Sequence, residues 1–235
     1  MKLGLCGHKE DPLRRTLRLR DFLVPGFAVP ASCDVTFGLV PDDDPLANDV
    51  LGVCGLAGPG HFERWEDQLC RRQTVVDGAA VRREYEAFGY VPGDPSTDGG
   101  VFALDVFKRW RSVGLFGRTI DAFAQVDFYD RNQTAAATFL LGGVFLCFNL
   151  PRSCQGRDVW EVVDDDGGSW GGHMALLQGD TVNSWGQRIR VERSFISRYC
   201  FDAYAVVSRA GLRDGRAYSG LDIVAMGRAL AAVTG

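Results

Sequence analysis

The chain has 235 residues, 46% hydrophobic and 11% aromatic, enough for one large domain or for two lobes sharing a cleft. A formal net charge of −4, with no basic block and no phosphate-cradling glycine loop, gives no reason to expect a nucleic-acid partner. No zinc-type Cys/His spacing occurs, so neither a metal nor another cofactor is expected.

The opening "MKLGLCGHKEDPLRR" has too short an apolar run to read as a signal peptide. Residues 1–47 carry five of the nine prolines and few periodic runs, which predicts an extended arm laid over a core. Phe22, Leu23, Val24, Phe27 and Val29 supply apolar surface for docking it. From Cys54 to about Leu69 the spacing of Leu56, Ala57, Phe62, Trp65 and Leu69 predicts a helix, against the local weakness of Gly58-Pro59-Gly60. "DGAAVRREYEAFGY" predicts a second helix, capped by Asp77 and closed near Gly89. A third lies in "DGGVFALDVFKRWRSVG", with Val101, Leu104, Phe107, Trp110 and Val113 on one face.

After residue 120 the character changes. β-type runs appear at 122–128, 143–149, 173–178, 181–185 and 203–208, with a helix over 131–141 and another over 219–233. The most membrane-like stretch, residues 135–150, is shorter than the roughly 20 residues a span needs, and Gly142-Gly143 divides it. A buried helix followed by a buried strand is expected there, and no membrane partner. The expected organisation is an arm over 1–47, a helical lobe over 48–120, a β-rich lobe over 121–210 and a C-terminal helix over 211–235. That pattern is α+β, with a cleft between the lobes. Seven cysteines without a CxxC pair favour free thiols in a reducing, cytoplasmic setting.

One of only three histidines stands in "GGHMALLQGDTVNSWG", a candidate hairpin. With Gln178-Gly179-Asp180 as a three-residue loop, Ala175 faces Asn183, and Asn183 becomes a diagonal neighbour of His173 under Trp185. A two-residue loop would put His173 and Asn183 on opposite faces. A lone histidine beside a strand is usually a core or surface residue. An asparagine placed to accept its ring N–H argues instead for a general base. The nucleophile such a base needs is available in "NDVLGVCGLAGPGHF". There Cys54 sits where a glycine-containing turn enters a helix, and free amides together with the helix dipole favour thiolate. The other six cysteines read as structural thiols.

These blocks together resemble the papain-like cysteine peptidases. "GGHMALL" followed by "NSWG" is similar to the family's histidine and asparagine blocks, and "NDVLGVCGLA" to its nucleophile block. "TDGGVFALDVF" is similar to its glycine pair ahead of a helix. The resemblance spans residues 45–208. It implies a papain-like fold with catalytic Cys54, His173 and Asn183, and an oxyanion hole made by Asn48 and the Cys54 amide. It further implies substrate contacts at Gly99, Gly100 and Trp185, and a peptide or protein as substrate. The chain departs from the family where Gly55 follows Cys54 in place of tryptophan and where Asn48 replaces a glutamine. The Asn-Asp variant and short hairpin are similar to papain-like proteins of actinobacteria and their phages. The arginine bias, with three lysines among 26 basic residues, points to a GC-rich genome of that kind. The alternative is a papain fold kept for interaction, with virion or host protein partners and little or no turnover.

Other polar clusters are expected to be structural. His61 lies about two helical turns, roughly 10 Å, from Cys54, too far for proton transfer. His8 with Cys6 lacks further ligands for a metal, and the two Asp triplets lack the alternation of a calcium loop.

Overall fold

The computed structural model describes residues 1–11, 17–26, 28–30 and 34–208, together with 226, 228 and 229. The anticipated C-terminal helix, like Phe27 and Cys33, therefore lies essentially outside the described residues. Five α-helices precede or interrupt a seven-stranded sheet among these residues: α1 Cys54–Leu69, α2 Gly78–Glu86, α3 Ala103–Ser112, α4 Arg131–Leu141 and α5 Arg193–Tyr199. The strands are β1 Ile120–Gln125, β2 Val144–Pro151, β3 Val159–Trp160, β4 Ser169–Gln178, β5 Thr181–Ser184, β6 Gln187–Val191 and β7 Cys200–Ser208. They lie in the order β1-β7-β2-β4-β5-β6-β3, antiparallel except for β3 on β6. The architecture is α+β, with the helices of the first half followed by the sheet, as the patterning implies.

Local chemistry sets most boundaries. Asp77 accepts the Ala80 amide at 2.7 Å to start α2, and Asp130 accepts from Asn132 and Gln133 to start α4. Gly142 ends α4 in the left-handed region at φ +84°. Helix α1 continues through Pro59 without interruption. Gly58 and Gly60 explain why this segment is worth keeping. A Cβ on Gly60 would come within 2.8 Å of Leu46, and one on Gly58 within 3.5 Å of Met174, so the glycines let the helix lie close to its neighbours.

The third helix starts at Ala103, later than its sequence block, because Gly100 turns through the left-handed region and Val101 bridges to Leu5. Strand β6 and helix α5 were not anticipated. In "QRIRV" only Ile189 and Val191 face inward among charged neighbours, and α5 has just seven residues.

The main core packs Phe62 of α1, Phe107 and Trp110 of α3, Phe145 of β2 and Tyr204 of β7 edge-on or tilted against one another. On the other side of the sheet Phe148, Trp160 and Phe195 form a second aromatic group. The arm is held in part by the residues anticipated and in part by others. Leu17, Leu19 and Phe22 are buried, Leu23 and Val29 are partly so, and Val24 stays exposed. Among the described residues, no helix is long and apolar enough to cross a membrane.

Candidate active site

Cys54 is the first residue of α1. The Val53 carbonyl accepts from Leu56 and Ala57, and no side chain caps the helix, so its leading amides are left for another acceptor. Burial pushes the Cys54 thiol up to about 11, outweighing the Met174, Gly4, Gly55 and Cys54 amides, which point at the sulfur and favour its anion. The helix-terminus donors inferred from the sequence are present. Their effect is overridden because the sulfur is fully covered.

The Met174 amide reaches this sulfur, and His173 is the residue before it on β4. The imidazole stacks on Trp185 at 4.3 Å and meets Trp160 edge-on at 6.3 Å. Its Nε2 lies 2.6 Å from Ser184 Oγ. Its Nδ1 is buried and hydrogen-bonds to nothing, the Cys54 sulfur included. Burial lowers the His173 pKa to about 3, so the ring is neutral.

Asn183 is not the partner of His173. The hairpin closes with two residues, Gly179 and Asp180, so that Gln178 faces Thr181 and Leu176 faces Asn183. Continuing that register sets Ser184 opposite Ala175 and diagonal to His173, the place the three-residue loop had assigned to Asn183. The one-residue change turns Asn183 to the other face of the sheet. There its Nδ2 donates to the Asp42 carbonyl at 3.0 Å and lies 3.3 Å from His61 Nδ1, which pairs with Asp42 Oδ2 at 2.8 Å. The signal that would have found Ser184 is the Gly-Asp dipeptide, a two-residue hairpin turn with positive φ at its glycine (here +75°).

The remaining anticipated positions surround one object, a strap formed by residues 2–6. Lys2 N donates to the Asn48 carbonyl at 3.2 Å, and Trp185 Nε1 donates to the Lys2 carbonyl at 2.9 Å. Leu5 N donates to Gly172 O at 3.2 Å, Val101 N to Gly4 O at 2.8 Å, and Cys6 N to Val101 O at 2.8 Å. The strap thus adds itself to Val101 as a parallel strand. Glycines on both the strap and its surroundings make this close fit possible. A Cβ on Gly100 would lie 2.2 Å from Gly4 O, one on Gly172 2.0 Å from Leu5 O, and one on Gly4 1.8 Å from Gly52 O. Gly100 also needs its φ of +81°, and Gly99 O accepts from Cys6 Sγ at 3.5 Å. Asn48 is 2% exposed in the turn ahead of Cys54, with its side-chain oxygen unpartnered.

No protein-family model matches the chain, and no curated protein does so in sequence. The three-dimensional comparison is informative. Xylellain, a cysteine protease from Xylella fastidiosa, superposes with a TM-score of 0.65 at 14% identity, over 88% of this chain and 96% of that one. The fold is papain-like. A structure from work on the mite allergens Blo t 1 and Der p 1 agrees, with a TM-score of 0.55 at 14% identity over 83% of this chain and 76% of that one. At such identities the likeness establishes the papain-like fold and leaves the chemistry to the residues described above.

Proposed function

We propose that the chain is a papain-like thiol hydrolase acting on peptides or proteins, with its cleft covered at rest by its own strap. The reading is supported by Cys54 at the head of α1, whose sulfur meets the amide of the residue after His173, and by a His173 whose Nδ1 is unpartnered and whose Nε2 is held by Ser184. With the proton on Nε2, Ser184 Oγ accepts it and Nδ1 keeps a lone pair free to take a proton. Cys54 attacks the substrate carbonyl, its proton passes to His173 Nδ1, and the leaving amine takes that proton away; water then hydrolyses the thioester. The Cys54 amide and the Asn48 side chain are the donors for the oxyanion, each worth about 10²–10³ in rate. Trp185 covers the His173–Ser184 bond. Asn183 has no catalytic part in this scheme. The same machinery serves other acyl transfers, deamidation and transamidation among them.

Burial moves the two pKa values apart and favours neutral thiol and neutral imidazole, and the strap, whose Gly4 amide reaches the sulfur, is part of that cover. Its departure admits water to both groups and relieves that penalty. Gly4→Ala tests this without truncation, because the new Cβ would strike Gly52 O and expel the strap. Iodoacetamide or a thiol-directed epoxide should label Cys54 at pH 7 at least about tenfold faster in Gly4→Ala than in wild type. Equal rates in a folded variant would remove the covered-hydrolase reading. They would favour instead a papain fold kept for binding, for which the fully buried site of the resting structure also speaks. The likeness to actinobacterial and phage proteins, a virion or host partner and a cytoplasmic setting rest on the sequence blocks and the cysteine pattern alone.

A further inference from the structure

We propose that Asp98 is a specificity-determining residue of the cleft: once the strap is displaced, its carboxylate selects a lysine or arginine side chain on the incoming peptide. This rests on the reading of the cleft as a peptide site, and it names the class of peptide.

The two oxygens of Asp98 have different tasks. Oδ1 accepts the Gly52 amide at 2.8 Å and the Tyr85 hydroxyl at 3.1 Å, and Tyr85 in turn accepts the Gly100 amide at 2.7 Å. That oxygen therefore ties together the turn before Cys54 and the glycine wall across from it. Oδ2 is given to the occupant of the cleft, and the Lys2 ammonium reaches it at 2.7 Å. The Asp98 side chain is 4% exposed with Lys2 in place, whereas Lys2 is half exposed. Among the described residues Asp98 forms an ion pair with Lys2 alone.

Burial acts to raise the Asp98 pKa, yet Lys2, the Gly52 amide and Tyr85 together hold the carboxyl below the usual range. When the strap leaves, the cation leaves with it. A carboxylate at the wall of a narrow slot then lacks a counterion, and the residues around the strap, Asn48, Gly52, Gly100, Val101, Gly172 and Trp185, carry no positive charge. A peptide running past Gly52, Gly100 and Gly172 with a long basic side chain restores the pair. A peptide with an apolar or acidic side chain at that place leaves the charge unpaired or opposed. The strap shows the geometry is attainable, since its Lys2 already makes the contact.

The test separates recognition from turnover. In the full-length chain carrying Gly4→Ala and Cys54→Ala, the fluorescently tagged pentapeptide Lys-Leu-Gly-Leu-Ser is titrated by anisotropy against its norleucine analogue. The lysine peptide should bind at least about tenfold more tightly. Asp98→Asn keeps an oxygen for Gly52 and Tyr85 and replaces the charged one with an amide, so it should hold the fold and bring the two affinities together. Equal affinities in the parent, a preference unchanged by Asp98→Asn, or no binding of either peptide overturns the proposal. Cleavage of a peptide library by the Gly4→Ala chain with Cys54 intact is the second arm. A basic preference in binding with no cleaved peptide sinks the hydrolase reading and leaves the acidic subsite standing. Cleavage indifferent to basic residues sinks the subsite and leaves the hydrolase.

Discussion

At the scale of single residues, the site turns on which hydroxyl or amide reaches His173. Ser184 lies within hydrogen-bond distance of Nε2, and Asn183 serves the Asp42 carbonyl and His61. The two neighbours should therefore separate cleanly by mutation. In the Gly4→Ala background, Ser184→Ala is expected to slow Cys54 labelling by about tenfold, the worth of one orienting hydrogen bond. Asn183→Ala should leave labelling unchanged and cost about 1 kcal/mol of stability in urea, because it strips a donor from a part-buried carbonyl. The reverse pattern would return Asn183 to the role that the resemblance implies. Cys54 and His173 were singled out by residue type and block order. Ser184 was not singled out, because a single residue of loop length decides which side chain faces the imidazole.

At the scale of elements, α1 and the β4–β5 hairpin do the positioning. Helix α1 carries Pro59 between two glycines and still runs to Leu69, its close approach to Met174, Phe145 and Leu46 compensating for a missing amide. The turn after α4 is equally constrained. Gly142 has φ +84°, and a Cβ there would stand 2.1 Å from the Trp65 ring of α1. Gly142→Ala should therefore cost at least about 2 kcal/mol in chemical denaturation, combining left-handed strain with a clash against an aromatic ring. A cost near zero would mean that α4 and α1 are less tightly joined than the packing shows. Boundaries written in local chemistry, such as Asp77, Asp130 and Gly142, were legible. Strand β6 was not, since two inward side chains in five residues give a weak alternation, and its pairing with β5 and β3 is what holds it.

At the scale of the whole molecule, a buried neutral histidine makes global stability depend on pH. The folded pKa of His173, about 3, lies below the ordinary value of 6.5. Between those values the unfolded chain binds a proton that the native chain does not, so stability falls as pH drops from 6.5 toward 3 and levels off below. The loss from this group should be on the order of 4 kcal/mol. Urea unfolding of wild type and His173→Phe across that range isolates it, because phenylalanine cannot titrate. Parallel stability curves for the two proteins would show that the imidazole is hydrated in the native state. The strap belongs to this scale as well, because it draws Asn48, Gly52, Asp98, Val101, Gly172 and Trp185 around one short segment.

The sequence by itself determined the α+β order of elements, the helix that Cys54 opens, the hairpin bearing His173 and the free space left by paired glycines. These follow from periodicity, capping and residue size, which act over a few positions. Only the tertiary structure decided the protonation state of the pair, the partner of His173 and the occupant of the cleft. Each depends on contacts between segments far apart in the chain: Gly4 on Gly52, Lys2 on Asp98, and β4 on β5 in one register out of two. The thiol illustrates the division. The sequence placed it at a helix terminus that favours its anion, and the folded chain, β4 and the strap included, buries it so completely that desolvation prevails.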